Sequence, residues 1–154
     1  MSYLSQVKKP TPQAPVTTIV GFAGSGKSSL AGLFPSPIFI QAENATSVFE
    51  TMPEDLQPAF FPQLPIANAK RNIKTSEVLF EQLRELMTVE HGFKTVVIDS
   101  ITALNIMFEN EVVEFDDKGA SNIGEAQGGY NKGYLVVAGI HAKLRAACEH
   151  LRKR

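Results

Sequence analysis

Val16-Thr17-Thr18-Ile19-Val20-Gly21-Phe22-Ala23-Gly24-Ser25-Gly26-Lys27-Ser28 joins a β-branched run to a glycine-rich loop. β-branched residues fit a pleated, buried surface, so Val16–Val20 is expected to be a buried strand ending at Gly21. Gly21 to Ser28 then matches G-x-x-x-x-G-K-[ST] without a gap. The glycines let the backbone curl so that successive N–H groups face an anion. A helix expected over Ser28–Phe34, stopped by Pro35 and Pro37, adds its positive N-terminal end. At average composition such a pattern arises by accident in roughly one chain of this length in a hundred or fewer. Here it also sits between an expected strand and an expected helix, the context a nucleotide phosphate site requires.

Working outward, Ile38-Phe39-Ile40 reads as a second strand, followed by Gln41-Ala42-Glu43-Asn44. Thr46–Pro65 is broken by prolines, with a short strand expected near Leu64–Ala67. Ser76–Val89 carries Leu79, Leu83, Leu86 and Met87 at helical spacing; Thr75 or Ser76 is the expected cap, and Gly92 the expected stop. Thr95-Val96-Val97-Ile98-Asp99-Ser100 is a continuous apolar run, as in a parallel strand covered on both faces. Ile101–Val113 and Tyr134–Arg152 read as helices, separated by a polar, glycine-rich segment over Asp116–Gly133. Strands alternating with helices give an α/β domain with a parallel sheet flanked by helices. Met1–Pro15, with Pro10, Pro12 and Pro15, reads as a flexible tail ahead of one domain over residues 16–154. Its Lys8-Lys9 pair either touches a phosphate backbone or is simply solvated.

Composition narrows the class. The 154 residues carry a formal charge of −1, with 44% hydrophobic and 20% charged residues, ordinary values for a globular domain with no global basic field. The single Cys148 excludes an internal disulfide and is expected to be a small buried residue. His91, His141 and His150 show no metal-ligand spacing and are expected to be solvated. No apolar run reaches the ~18 residues of a membrane span.

The candidate site residues follow from the chemistry of phosphate. Lys27 reaches the β- and γ-phosphates and the Ser28 hydroxyl ligates Mg²⁺. Gly21, Gly24, Ser25, Gly26 and Ser29 complete the expected cradle. Asp99, at the C-terminal end of a parallel strand, lies at the sheet edge where ligands bind. It either holds the metal shell or caps the next helix, and Ser100 can cap in its place. Glu43 closes its strand in the same manner; it either polarises the attacking water or is a solvated loop carboxylate.

Gly21–Ser28, Ile38–Glu43, Thr95–Leu104 and Gly128-Gly129-Tyr130-Asn131-Lys132-Gly133-Tyr134, in that order, resemble the RecA-like ATPase core. The resemblance is to the small phage-encoded RecA-like proteins of single-strand annealing recombination. It covers most of Val16–Arg154, with Gln41 and Asn44 standing where the family usually has an acidic residue and a glycine. It implies an ATPase using ATP and Mg²⁺, with Glu43 as catalytic glutamate and Asp99 on the metal. It also implies partners: single-stranded DNA, further copies of the chain on that DNA, and a single-strand-binding or annealing protein. The implied location is the cytoplasm of a phage-infected bacterial cell. In the family the helix matching Tyr134–Arg152 leads into another core strand. The chain is therefore expected to be a fragment or truncated, or to have its sheet completed by a partner.

The resemblance places a DNA-facing loop over Asp116–Gly133, with Tyr130 and Tyr134 as stacking residues. Its charges nearly cancel, however, with no basic excess: Asp116, Asp117 and Glu125 against Lys118 and Lys132. Residue by residue, without the resemblance, it reads as an ordinary connecting loop. Lys143, Arg145, Arg152, Lys153 and Arg154 either bind phosphate backbones or answer a helix C-terminus. Two alternatives to the DNA-coupled ATPase stand. One is a P-loop protein of another class, a small-molecule kinase with Lys70 and Arg71 as nearest lid residues, or a partner-loading ATPase. The other is a non-catalytic remnant.

Overall fold

A computed structural model describes residues 3–9, 11–44 and 46–153. Met1, Ser2 and Pro10 of the expected tail and Arg154 of the basic cluster lie outside the described residues. Three strands, β1 (Pro37–Gln41), β2 (Ala59–Phe60) and β3 (Thr95–Asp99), form a parallel sheet in the order β2-β1-β3. The helices are α1 (Lys27–Gly32), α2 (Thr75–Thr88), α3 (Ile101–Glu114) and α4 (Lys132–Leu151). The fold is the expected α/β arrangement of a P-loop core.

Successive residues of β1 point to opposite faces, and two clusters result. Ile40 packs with Leu79 and Leu83 of α2, Leu104 and Phe108 of α3, and Val137 and Leu144 of α4. Phe39 packs with Ala31 of α1 and with Phe49, and Ile19, Phe60 and Val97 border that group. The Phe39 and Phe49 rings meet edge-on with centroids 5.4 Å apart. Gly32 allows this approach, because a Cβ there would overlap the Phe49 ring. Phe49 is thereby the wedge that seats the helix of the phosphate loop on the sheet.

Val16–Val20 is not a strand. It takes no part in the sheet, and Val20 is 90% exposed. Strand propensity records packing on a pleated neighbour rather than an intrinsic backbone preference. Among the described residues no strand lies along it, and only Ile19 reaches the Phe39–Phe49 group. β3 shows the same deficit. It is hydrogen-bonded to β1 on one edge alone, and Thr95–Ile98 are half-buried rather than covered on both faces.

The short strand also moves, from the expected Leu64–Ala67 to Ala59–Phe60. Pro62 and Pro65 explain the shift, since neither can donate to a ladder. Phe61 N–H and Leu64 N–H still bond to the Phe39 and Gln41 carbonyls at 2.9 Å each. Side chains then take carbonyls that no ladder serves: Gln41 Nε2 donates to Phe61 O (2.8 Å), Gln82 Nε2 to Pro62 O (3.0 Å) and Thr75 Oγ1 to Pro65 O (2.8 Å).

Neither Thr75 nor Ser76 caps α2, whose N-cap is Lys74 with no side-chain cap bond. Thr75 is committed to Pro65. The cap comes instead from Glu111 of α3, only 6% exposed, which accepts from Ser76 N–H (2.7 Å) and Ser76 Oγ (2.5 Å). A carboxylate there answers both the orphan donors and the positive helix end. α2 stops at Thr88, short of Gly92. Two histidines are not solvated. His91 Nε2 donates to Leu86 O (2.9 Å), and His141 Nε2 donates to Asn105 Oδ1 (3.0 Å) with its ring edge-on to Phe108. His150 is exposed. Cys148 is half-buried against the core, and burial pushes its thiol pKa up.

Tyr3–Gln6 forms a 3₁₀ turn, and the Ala14 carbonyl accepts from Arg152 Nε at 2.9 Å. Among the described residues no helix is long and apolar enough to cross a membrane.

Replacing Glu111 by alanine is expected to lower unfolding free energy by about 2–3 kcal/mol, because a buried N–H and a helix end lose their partner. Glu111→Gln, which keeps an acceptor oxygen, should lose less. Urea denaturation of the two variants checks the order.

Candidate nucleotide site

The phosphate loop is built by three glycines with different duties. Gly24 and Gly26 have φ of 74° and 80°, left-handed values that a side chain disfavours. Gly21 is needed for space, since a Cβ there would stand 2.7 Å from Ser25 Oγ. Gly26 is also the N-cap of α1, and its carbonyl accepts the first helical bond, from Leu30 N–H at 2.9 Å. The Phe22 carbonyl gathers the loop, accepting from Ser25 N–H (3.2 Å) and from Lys27 Nζ (2.9 Å). The Phe22 ring itself is 91% exposed. Ser29 is exposed on the first turn of α1.

Ser28 and Asp99 meet across 71 residues of sequence: Ser28 Oγ donates to Asp99 Oδ2 at 2.6 Å. Asp99 is buried at the end of β3, and the Asp99–Ser100 peptide is cis. Ser100 Oγ accepts from Ala103 N–H at 3.2 Å and caps α3. The two readings of Asp99 therefore separate, because the cap falls to Ser100 and the Asp99 carboxylate faces the loop. A serine hydroxyl beside a carboxylate is a pair of hard oxygens, the donor type that Mg²⁺ takes. The residues present thus fit the metal and the phosphates that the motif implies.

Glu43 arrives at the same place through the backbone. Gln41 pairs with Asp99 in the β1–β3 register, and the Asp99 carbonyl accepts from Ala42 N–H (2.9 Å) and Glu43 N–H (3.3 Å). Beyond Glu43, Asn44 Oδ1 accepts from Thr46 N–H (3.2 Å) and Thr46 Oγ1 (2.8 Å), which turns the chain away. The Glu43 side chain is exposed, and among the described residues it takes no hydrogen bond or ion pair. Ser28, Asp99 and the backbone of Glu43 accordingly meet at the carboxyl ends of β1 and β3. Sequence reasoning missed Gln41, whose amide ties β1 to Phe61. The signal was the proline pair at 62 and 65, which leaves nearby carbonyls in need of donors.

The Asp116–Gly133 segment is an ordered loop rather than a slack one. Asp116 accepts from Gln127 N–H (2.7 Å), and from Lys118 and Ala120 N–H (3.1 Å each). Those bonds, that from Gln127 foremost, hold its carboxyl below its ordinary range. Glu125 accepts from Ser121 Oγ (2.6 Å) and Ser121 N–H (3.2 Å), and the serine hydroxyl lowers its pKa as well. This frame supports left-handed Gln127, Tyr130 and Asn131 and leaves Tyr130 94% exposed. Tyr134 and Leu135 on the first turns of α4 are exposed beside it in sequence.

Lys70 and Arg71 belong to a turn held elsewhere. Ala69 N–H donates to Glu114 Oε1 at the last residue of α3. That is about 20 Å of helix away from Ser100 at its start. At the end of α4, Lys143, Arg145, His150 and Lys153 are exposed, while Arg152 pairs with Glu149 at 3.2 Å.

No curated protein and no solved structure shows a significant match to the chain. The AAA domain family AAA_24 matches residues 13–154, a span that takes in the phosphate loop, Glu43, Asp99 and the loop carrying Tyr130. The chain belongs to this AAA domain family of P-loop ATPases.

Proposed function

We propose that the protein binds Mg-ATP and hydrolyses it in coupling to single-stranded DNA, as in phage-type homologous recombination or strand annealing. The observation that carries the nucleotide half is the 2.6 Å bond from Ser28 to Asp99. It joins the phosphate loop to the strand-end carboxylate with nothing but a hydrogen between two metal-type ligands. Mg²⁺, when bound, neutralises phosphate charge as it builds on the leaving group. The chain's own residues do the rest. The loop N–H groups and the ammonium of Lys27 bind phosphate, which requires Lys27 to leave the Phe22 carbonyl. Ser28 and Asp99 would hold the metal through their oxygens. Glu43, unpartnered and fixed to Asp99 through its backbone, takes a proton from the attacking water.

The DNA half rests on the loop over Asp116–Gly133. Its internal bonds hold Tyr130 in solvent before any ligand arrives, so little ordering cost attends stacking a base on the ring. The likeness of Ile38–Glu43 and Gly128–Tyr134 to the phage RecA-like proteins supports the wider setting. There the protein would assemble as a homo-oligomer on DNA, beside a single-strand-binding or annealing protein, in the cytoplasm of a phage-infected bacterial cell. The second reading is a partner-loading ATPase with no DNA role. The lack of any basic excess in the same loop favours it, since a phosphate backbone gains little there. A kinase lid from Lys70 and Arg71 is disfavoured by their tether to Glu114.

Lys27→Ala is expected to abolish Mg-ATP binding in isothermal titration; wild-type affinity in that variant overturns the nucleotide site. Glu43→Gln should bind Mg-ATP normally and lose turnover by about 10²–10⁴-fold, the usual worth of a positioned base. Unchanged hydrolysis places the base elsewhere. Tyr130→Ala should weaken oligonucleotide binding by about 1–3 kcal/mol, as for loss of one stacking platform. An unchanged affinity favours the partner-loading reading. Because Asp116 and Glu125 titrate below their ordinary values, their contribution to loop order is complete above those values and lost as pH falls through the lowered ones. Asp116→Asn at neutral pH should therefore lower the protection factor of the Gln127 amide, the same loss that acid brings to the wild type once the slower intrinsic exchange is divided out.

A further inference from the structure

We propose that Gln41 is a positioning residue for Glu43. This inference rests on the assignment of Glu43 as the group that activates water. A carboxylate with no side-chain partner owes its place to the backbone that carries it. Four bonds set that backbone. Ala42 N–H and Glu43 N–H share the Asp99 carbonyl on one side. On the other side the chain is gripped one residue earlier, at Gln41.

Gln41 is gripped twice. Its carbonyl accepts from Leu64 N–H at 2.9 Å, and its side-chain amide donates to Phe61 O at 2.8 Å. The side chain is buried, so the Phe61 carbonyl has little water to turn to if the amide is removed. Pro62 follows Phe61 and offers no N–H of its own. Gln41 Nε2 thus closes β1 against the run that follows β2 at the residue paired with Asp99. Release of that contact frees β1 to swing at the point where Glu43 leaves the sheet. Ser28 meets the Asp99 carboxylate rather than its carbonyl, and Lys27 is held by the Phe22 carbonyl. The loss should therefore fall on turnover and spare nucleotide binding.

Gln41→Met keeps the length of the side chain and removes the donor. Gln41→Glu keeps the shape and, ionised, also has no proton to give. Amide hydrogen exchange on each folded variant, without nucleotide, should quicken at Ala42 and Glu43 by tenfold or more, with Leu30 at the start of α1 unchanged. With Mg-ATP, kcat should fall by about ten- to a hundredfold, the effect of a misplaced reacting group, while affinity stays within about twofold of wild type. Wild-type exchange at Ala42 and Glu43 in Gln41→Met overturns the proposal. So does a parallel loss of affinity and kcat, which marks a merely structural role. Glu43→Gln assayed alongside separates the two inferences. If it turns over normally, Glu43 is not the base and the positioning role falls with it. If it is inactive while the Gln41 variants keep kcat, only the role of Gln41 falls.

Discussion

The bond from Ser28 to Asp99 is where the phosphate loop becomes part of the sheet. In most strand–loop–helix units the loop is held from both ends, by a strand in the ladder and by a helix on its face. Here Val16–Val20 is outside the ladder, so the strand side contributes only the contact of Ile19 with the Phe39–Phe49 group. The loop depends on α1 seated over Phe49 and on a serine hydroxyl 2.6 Å from a buried carboxylate. A hydrogen bond to an ionised acceptor is worth roughly twice a neutral one, which suits it to carry that load. The same two oxygens are the metal-type ligands, so the contact that organises the loop is the one that binding would reshape.

Much of this was legible in the residues. Gly21–Ser28 named the loop, and the alternation of apolar runs with helical periodicity named the class, because both are local patterns with a physical cause. Ser100 as the cap of α3 was legible too, since a strand end and a helix start lie next to each other there, and that leaves the Asp99 carboxylate to Ser28. What failed was non-local. Val16–Val20 has the composition of a strand, but a strand exists only with a neighbour. The cap of α2 came from Glu111, 35 residues on, and no pattern near Ser76 announces it. His141 was misjudged for the same reason: it is partnered by Asn105, which only the packing of α3 on α4 brings near.

The proline-rich run from Phe61 to Pro65 shows how a local deficit spreads. Two prolines remove donors, and carbonyls beside them still need partners. Gln41, Gln82 and Thr75 supply them from three separate places in the chain. Each is buried, and each is polar for this reason rather than for chemistry with a substrate. The same economy places Gln41 next to the site, where an acidic side chain would have no proton to offer Phe61.

Asp99 serves the two halves of the site with different atoms. Its carboxylate faces Ser28 and the phosphate loop; its carbonyl holds Ala42 and Glu43. A side-chain substitution therefore reaches only the first half. Asp99→Asn exchanges a charged oxygen for a neutral amide at the loop, while the carbonyl that registers Glu43 is untouched. The contact with the phosphate loop and the register of Glu43 are joined by one residue yet remain chemically separable. The backbone bond also fixes where the Glu43 carboxylate leaves the sheet without using its oxygens, which stay exposed and open to a ligand.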